Sequence, residues 1–254
     1  MDERLFELHR FLLTDFIRER VDFTRTSQHQ GRPAPPLQKP CGDEPRAALP
    51  PGAAALEHLA AMPLGQAILE RESVRRYSPA PLTLEELAAL LWATQGVRRT
   101  LGPSTALRTV PSAGARHAFE TYLAVQNVAS LDPGVYRYLP FDRELALVRA
   151  NPDMASAAAI ACLRQRFVAG AAVTFFWSVI PERMEWRYGL AAHKVLALDA
   201  GHVCQNLYLA CAAMGLGTCA IAAYDQRACD ELLEIDGDEE FTVYAAPVGR
   251  RRAK

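Results

Sequence analysis

Arg71-Glu72-Ser73-Val74-Arg75-Arg76-Tyr77 sets three guanidinium groups around one hydroxyl within a short stretch of chain. Guanidinium forks and a hydroxyl match the oxygens of a phosphate monoester. Further on, Pro111-Ser112-Ala113-Gly114 forms a turn of small residues ahead of an apolar run. Such a turn lets backbone N–H groups approach a flat ligand closely. The two motifs together point to a phosphorylated, planar cofactor. Taken alone, the arginines also fit a solvated basic turn, and Ser112 and Gly114 also fit a simple strand-entry turn.

The elements that must position these residues follow from periodicity and punctuation. Residues 1–22 place Leu5, Leu8, Phe11, Leu12, Phe16 and Ile17 at helical spacings. From Thr24 to Gly52 seven prolines interrupt the chain, which predicts an extended arm with no core of its own. The globular body is expected to start at 53, giving an arm over 1–52 and one domain over 53–254. Ala55–Leu69 reads as helical with an interruption near Pro63. Thr83-Leu84-Glu85-Glu86 is a capping box, and the helix it starts should end near Gly96. Phe119–Val125, Gly134–Tyr138, Leu145–Val148, Ala171–Ile180 and Phe241–Val248 read as strands. Met154–Phe167 reads as a helix, and Asp225 caps another through Leu233. Leu190–Met214 is the longest helical pattern and is apolar on nearly every side, so it should be buried all round, partly by a second subunit. Helices and strands do not alternate regularly, so the fold class is α+β, not doubly wound.

Composition narrows the partners. A formal net charge of −1 over 254 residues creates no field that would draw the chain to nucleic acid or an anionic membrane. The apolar run Val195–Ala223 carries Asp199, His202, Gln205 and Asn206, which argues against a bilayer span. Cys41, Cys162, Cys204, Cys211, Cys219 and Cys229 contain no C-x-x-C spacing, and the six histidines have no metal-ligand spacing. The reading is a reduced, cytoplasmic protein without metal.

Four blocks, in order, give the sequence a family resemblance. They are Arg71–Tyr77; Arg108-Thr109-Val110-Pro111-Ser112-Ala113-Gly114-Ala115; Trp186-Arg187-Tyr188-Gly189 followed by Leu198–Leu207; and Met214-Gly215-Leu216-Gly217 running to Pro247-Val248-Gly249-Arg250. Across roughly residues 65–252 the chain resembles the nitroreductase-like flavoproteins, in particular their SagB-type, azoline oxidase-like branch. The resemblance implies a central mixed or antiparallel sheet flanked by helices, a homodimer whose long helix builds the interface, and FMN held between subunits. Carried over onto this sequence, Arg71, Ser73 and Arg75 contact the flavin phosphate and pyrimidine edge. Pro111, Ser112, Ala113 and Gly114 lie against the ring from the second subunit. Ala220, Ile221 and Ala222 present backbone near N5, and Arg250 with Arg251 reaches the phosphate. Arg76 is left to the fold.

The resemblance also implies ping-pong hydride transfer, with NAD(P)H reducing the flavin and an electron-poor small molecule reoxidising it. A SagB-type dehydrogenase or oxidase of a peptide or small-molecule substrate that passes electrons to oxygen is the alternative, and a non-catalytic flavin-binding scaffold subunit of a biosynthetic complex is another. Azoline-oxidising members carry a Lys-Tyr pair where this chain has Arg187-Tyr188, and arginine is a poor general base. Tyr188 is the one catalytic candidate, as a proton donor or stacking surface. It also fits as a packed aromatic near a helix start.

Overall fold

A computed structural model describes residues 3–51, 57–60 and 62–252. Its centre is a seven-stranded sheet in the order β1-β6-β5-β4-β7-β9-β8, antiparallel at every named pairing. The strands are β1 (Arg46–Ala48), β4 (Phe119–Val125), β5 (Gly134–Leu139), β6 (Glu144–Ala150), β7 (Val173–Val179), β8 (Leu216–Thr218) and β9 (Phe241–Arg250). A separate hairpin pairs β2 (Val97–Thr100) with β3 (Ala106–Arg108). The helices are α1 (Glu3–Leu13), α2 (Leu64–Glu70), α3 (Leu84–Gln95), α4 (Met154–Ala161), α5 (Arg166–Ala169), α6 (Glu182–Tyr188), α7 (Ala192–Ala213) and α8 (Gln226–Leu233).

The register of β4 on β7 runs from Phe119 opposite Val179 to Val125 opposite Val173, and every residue of both strands is buried. A strand covered on both faces reads as a continuous apolar run instead of an alternating one. Successive side chains still divide between the faces. Leu123, Phe175 and Trp177 join a core with α3 and α7, while Tyr122, Ala124 and Phe176 join a second core with α4 and α8.

Several expectations change in detail. The capping box forms as predicted: Thr83 Oγ1 accepts from the Glu86 N–H, and the Glu86 carboxylate accepts from the Thr83 N–H. The N-terminal helix ends at Leu13 and continues as a 3-10 segment over Asp15–Arg20, and none of α1 is buried. The proline-rich arm supplies the edge strand β1, paired with β6. The helix expected over 154–167 breaks because Leu163 and Arg164 take positive φ of 54° and 57°. The long helix is buried on one side only, leaving Leu198, Gly201, His202 and Gln205 exposed in the single chain. The helix expected over Ala55–Leu69 lies partly outside the described residues, as does the boundary expected at 52–53. Among the described residues no helix is long and apolar enough to cross a membrane.

Candidate functional site

The Arg71–Tyr77 segment lies along the edge of the sheet. It leaves α2 at Arg71, pairs at Ser73 with Thr218 and at Tyr77 with Arg251, and donates from the Val74 N–H to the Thr218 carbonyl at 2.8 Å. Two glycines allow it to lie that close. A Cβ on Gly217 would fall 2.6 Å from the Val74 side chain, and one on Gly249 would fall 2.8 Å from the Tyr77 ring. With Val74 and Tyr77 turned onto β8 and β9, Arg71 and Ser73 are left at the surface.

There they meet Tyr208 of α7. Ser73 Oγ is 3.0 Å from Tyr208 Oη, the Arg71 guanidinium carbon sits 5.5 Å from the tyrosine ring centre, and the Ala220 N–H donates to Tyr208 Oη at 2.9 Å. Arg71, Ser73 and Ala220, distant in sequence, therefore converge on one phenol. Tyr208 is absent from the sequence-based candidates. The only trace it leaves there is an aromatic hydroxyl within a largely apolar helix.

Ala220–Ala222 leads from this cluster into a cleft of about 430 Å³ between α7 and β9. Ala197, Ala200, Gly201 and Ala222 line it with small side chains, and Tyr244 and Phe241 form its far wall. The Ile221 backbone is fully used, because its N–H and carbonyl both pair with Ala245 at 2.7 and 3.1 Å. Ala222 is exposed, and its N–H has no acceptor among the described residues. Of the three backbone positions predicted to face a ligand, Ala222 is the one free to donate.

The Pro111–Gly114 turn stands at the other end of α7. Ser112 Oγ accepts from the His117 N–H at 2.9 Å, and the Ala113 N–H donates to the Asp199 carboxylate at 3.2 Å. Asp199 is buried, and desolvation raises its pKa above the usual aspartate value, against the pull of its hydrogen bonds from Ser112 and Ala113. Gly114 has φ of 57°, and a Cβ there would meet Arg187 Cδ and Tyr188 Oη at 2.8 Å. Tyr188 thus packs directly on the predicted flavin-facing turn. Asp199 and Tyr208 are nine residues apart on one helix, so the turn and the arginine cluster are held roughly 14 Å apart along its axis.

The remaining arginines face elsewhere. Arg250 Nη2 donates to both Glu86 oxygens at 2.9 and 2.8 Å, locking the end of β9 to the start of α3. Arg251 donates to the Leu216 carbonyl at 2.8 Å and to Glu72 at 3.3 Å. Arg75 points to the opposite side, with its guanidinium 5.9 Å from the Phe167 ring. Of the four arginines read as cofactor contacts, only Arg71 joins the Tyr208 cluster.

A model of the nitroreductase family matches residues 68–250. The chain is 35% identical over 188 residues to MJ1384 of Methanocaldococcus jannaschii, a protein itself described as a nitroreductase; the match covers 74% of this chain and 91% of that one. Among solved structures, a protein of Ralstonia eutropha JMP134 described as a nitroreductase superposes with a TM-score of 0.68 at 27% identity, covering 88% of this chain and 97% of the other. A chain of the Escherichia coli microcin synthetase McbBCD complex, bound to truncated pro-MccB17, superposes with a TM-score of 0.60 over 74% of this chain and 73% of its own. At 17% identity that likeness is one of fold.

Proposed function

The chain belongs to the nitroreductase family of oxidoreductases, and from that premise we propose that it is an FMN-dependent enzyme acting as a homodimer, with the flavin along the α7–β9 cleft. The observation that carries this reading is the joining of two kinds of surface. A cationic, hydroxyl-bearing patch at Arg71 and Ser73 borders, through Ala220–Ala222, an apolar cleft walled by small residues. That donor set suits a phosphate at one end and a flat ring at the other. Bound there, FMN would supply hydride exchange between a nicotinamide donor and an electron-poor small molecule.

The chain's own residues then have distinct tasks. Arg71 and Ser73 bind phosphate oxygens by charge-assisted and neutral hydrogen bonds. The Ala222 N–H fixes the ring's orientation as a preorganised donor. Asp199 holds the Ser112-Ala113 backbone rigid, and the turn it holds is proposed to complete the partner's site. The exposed stripe of Leu198, Gly201, His202 and Gln205 on α7 is the surface proposed to meet the second subunit. Tyr188 supports a second reading, a SagB-type dehydrogenase, because its hydroxyl is packed against Gly114 where substrate would approach the ring.

A visible spectrum of the purified protein tests the reading. We expect flavin absorbance, bleached anaerobically by NADH or NADPH. Arg71→Ala should lower FMN affinity by about tenfold or more, the usual cost of a charged hydrogen bond. Flavin retained but unreduced by either nicotinamide would favour the dehydrogenase reading. A colourless protein that also fails to take up added FMN would overturn both.

A further inference from the structure

On the far side of the Arg71–Tyr77 segment from Tyr208 lies a second cleft, of about 510 Å³, lined by Arg75, Arg76, Arg166 and Arg252 together with Tyr77, Phe167 and Gly170. We propose that this cleft is a binding site for a nucleotide carrying at least two phosphates, its ring against Phe167 and its phosphates among the arginines. The proposal goes beyond the flavin reading and does not depend on it.

Four arginines line the cleft, and among the described residues no aspartate or glutamate lines it. The chain as a whole has a net charge of −1, so this local excess is not a sample of a basic surface. Elsewhere some arginines at the surface are paired with carboxylates, as Arg46 is with Glu144, Arg149 with Glu234 and Arg251 with Glu72, while Arg98, Arg99 and Arg227 are exposed singly. Here Arg76 and Arg166 have no acceptor among the described residues. Arg252 uses only its Nε, donating to the Tyr77 carbonyl at 3.0 Å, which aims its two terminal nitrogens away from that bond. Arg75 has only the Phe167 ring beside it.

The architecture holds the four together without relieving their repulsion. Tyr77 is buried, with its hydroxyl donating to the Val74 carbonyl at 2.8 Å and lying 3.2 Å from the Pro247 carbonyl, so the backbone carrying Arg75 and Arg76 is fixed. Arg166 opens α5, a turn placed here by the positive-φ break at Leu163 and Arg164. Closely spaced like charges without a counter-ion repel one another, and a bound polyanion removes that repulsion while accepting several forked hydrogen bonds. The volume lies in the range of small-molecule sites. A phosphate monoester presents three terminal oxygens, so fork-to-fork pairing along its oxygen edges takes three guanidinium groups at most. Four arginines therefore select for more than one phosphate, and the half-buried Phe167 ring offers an apolar face for a base.

Calorimetric titration of the FMN-saturated protein with ADP, pyrophosphate, AMP and adenosine at low salt tests this. We expect one ADP site per chain, tighter than pyrophosphate or AMP, and no binding of adenosine. Arg166→Ala and Arg76→Ala, both surface changes, should each weaken ADP by about tenfold, with flavin content unchanged. Absence of ADP binding, adenosine binding as tight as ADP, or ADP affinity unaltered in both variants would overturn the proposal. Displacement of FMN by ADP would overturn it too, by making the cleft part of the flavin site. Because ADP binding is read without turnover, the same titration on flavin-free protein separates failure here from failure of the flavin reading.

Discussion

Two groups of arginines occupy this protein, and they obey opposite rules. Arg108, Arg116, Arg137 and Arg183 are buried to within 5% exposure or less, while Arg71, Arg75, Arg76 and Arg166 lie toward solvent. Every member of the first group has protein acceptors. Arg183 donates to Glu120 at 2.6 Å, Arg137 to the Lys39 and Pro40 carbonyls at 2.8 Å, and Arg108 to Gln95 and the Leu37 carbonyl at 2.8 and 2.9 Å. Arg116 donates to the carbonyls of Arg183 and Ser104 at 3.1 Å. Three of those carbonyls, of Leu37, Lys39 and Pro40, belong to the proline-rich arm outside β1, where no sheet ladder uses them. The exposed group has no carboxylate partners at all among the described residues. Charge that is buried must be matched internally; charge left in water is available to a ligand.

The comparison breaks most sharply at Glu120. Among the described residues it is the one carboxylate ion-paired to the buried group, bonded to Arg183 and lying 3.8 Å from Arg137, and it also accepts from the Lys39 N–H at 2.9 Å. Glu120→Ala leaves buried guanidinium groups without a counter-charge, a loss of about 3–5 kcal/mol. Urea denaturation measures it. A loss under about 1 kcal/mol would mean that the ion pair adds nothing net to stability.

His117 sharpens the same contrast through pH. It sits beside the buried arginines with φ of 46°, and its Nε2 is 3.1 Å from the Ala106 carbonyl, so that nitrogen carries the proton in the neutral ring. Burial, reinforced by Arg108, Arg116 and Arg183, pushes its pKa from 6.5 down to about 3. The unfolded chain therefore binds a proton that the folded chain refuses between those values. The contribution to stability is fully present above about pH 6.5 and is lost as pH falls toward 3. At pH 5 the loss is on the order of 2 kcal/mol. His117→Gln should flatten the stability profile between pH 6.5 and 4; an unchanged slope would remove His117 as its source.

How much of this was legible in the sequence depends on distance along the chain. The capping box, the apolar runs of β4 and β7 and the turn glycine Gly114 are local signals, and each appears where periodicity or turn chemistry put it. Short strands carry little periodicity, so β1, β2, β3 and β8 were invisible; β1 was masked further by the prolines around it. The helix break at Leu163 and Arg164 has no glycine to announce it. At the candidate site the motifs identified Arg71 and Ser73 but not the phenol of Tyr208 that gathers them, because that contact spans 135 residues. The arginines divided least predictably. Arg108 and Arg116 flank the Pro111–Gly114 turn in sequence, yet both face the interior, since the side a residue takes is decided by which distant acceptors reach it.

The smallest effect belongs to the exposed arginines, and its sign is informative. Arg76→Ala and Arg166→Ala remove no hydrogen bond to the described protein, so their effect on stability should lie within about 0.5 kcal/mol, as for surface sites generally. Relief of repulsion among Arg75, Arg76, Arg166 and Arg252 should make the shift stabilising at low ionic strength. At 1 M salt the screening length falls to about 3 Å, and wild type and variants should converge. Thermal unfolding at the two salt concentrations measures this. A destabilisation of more than about 1 kcal/mol in either variant would place that side chain in the structural class with Arg183, and the division between the two groups would then not follow exposure.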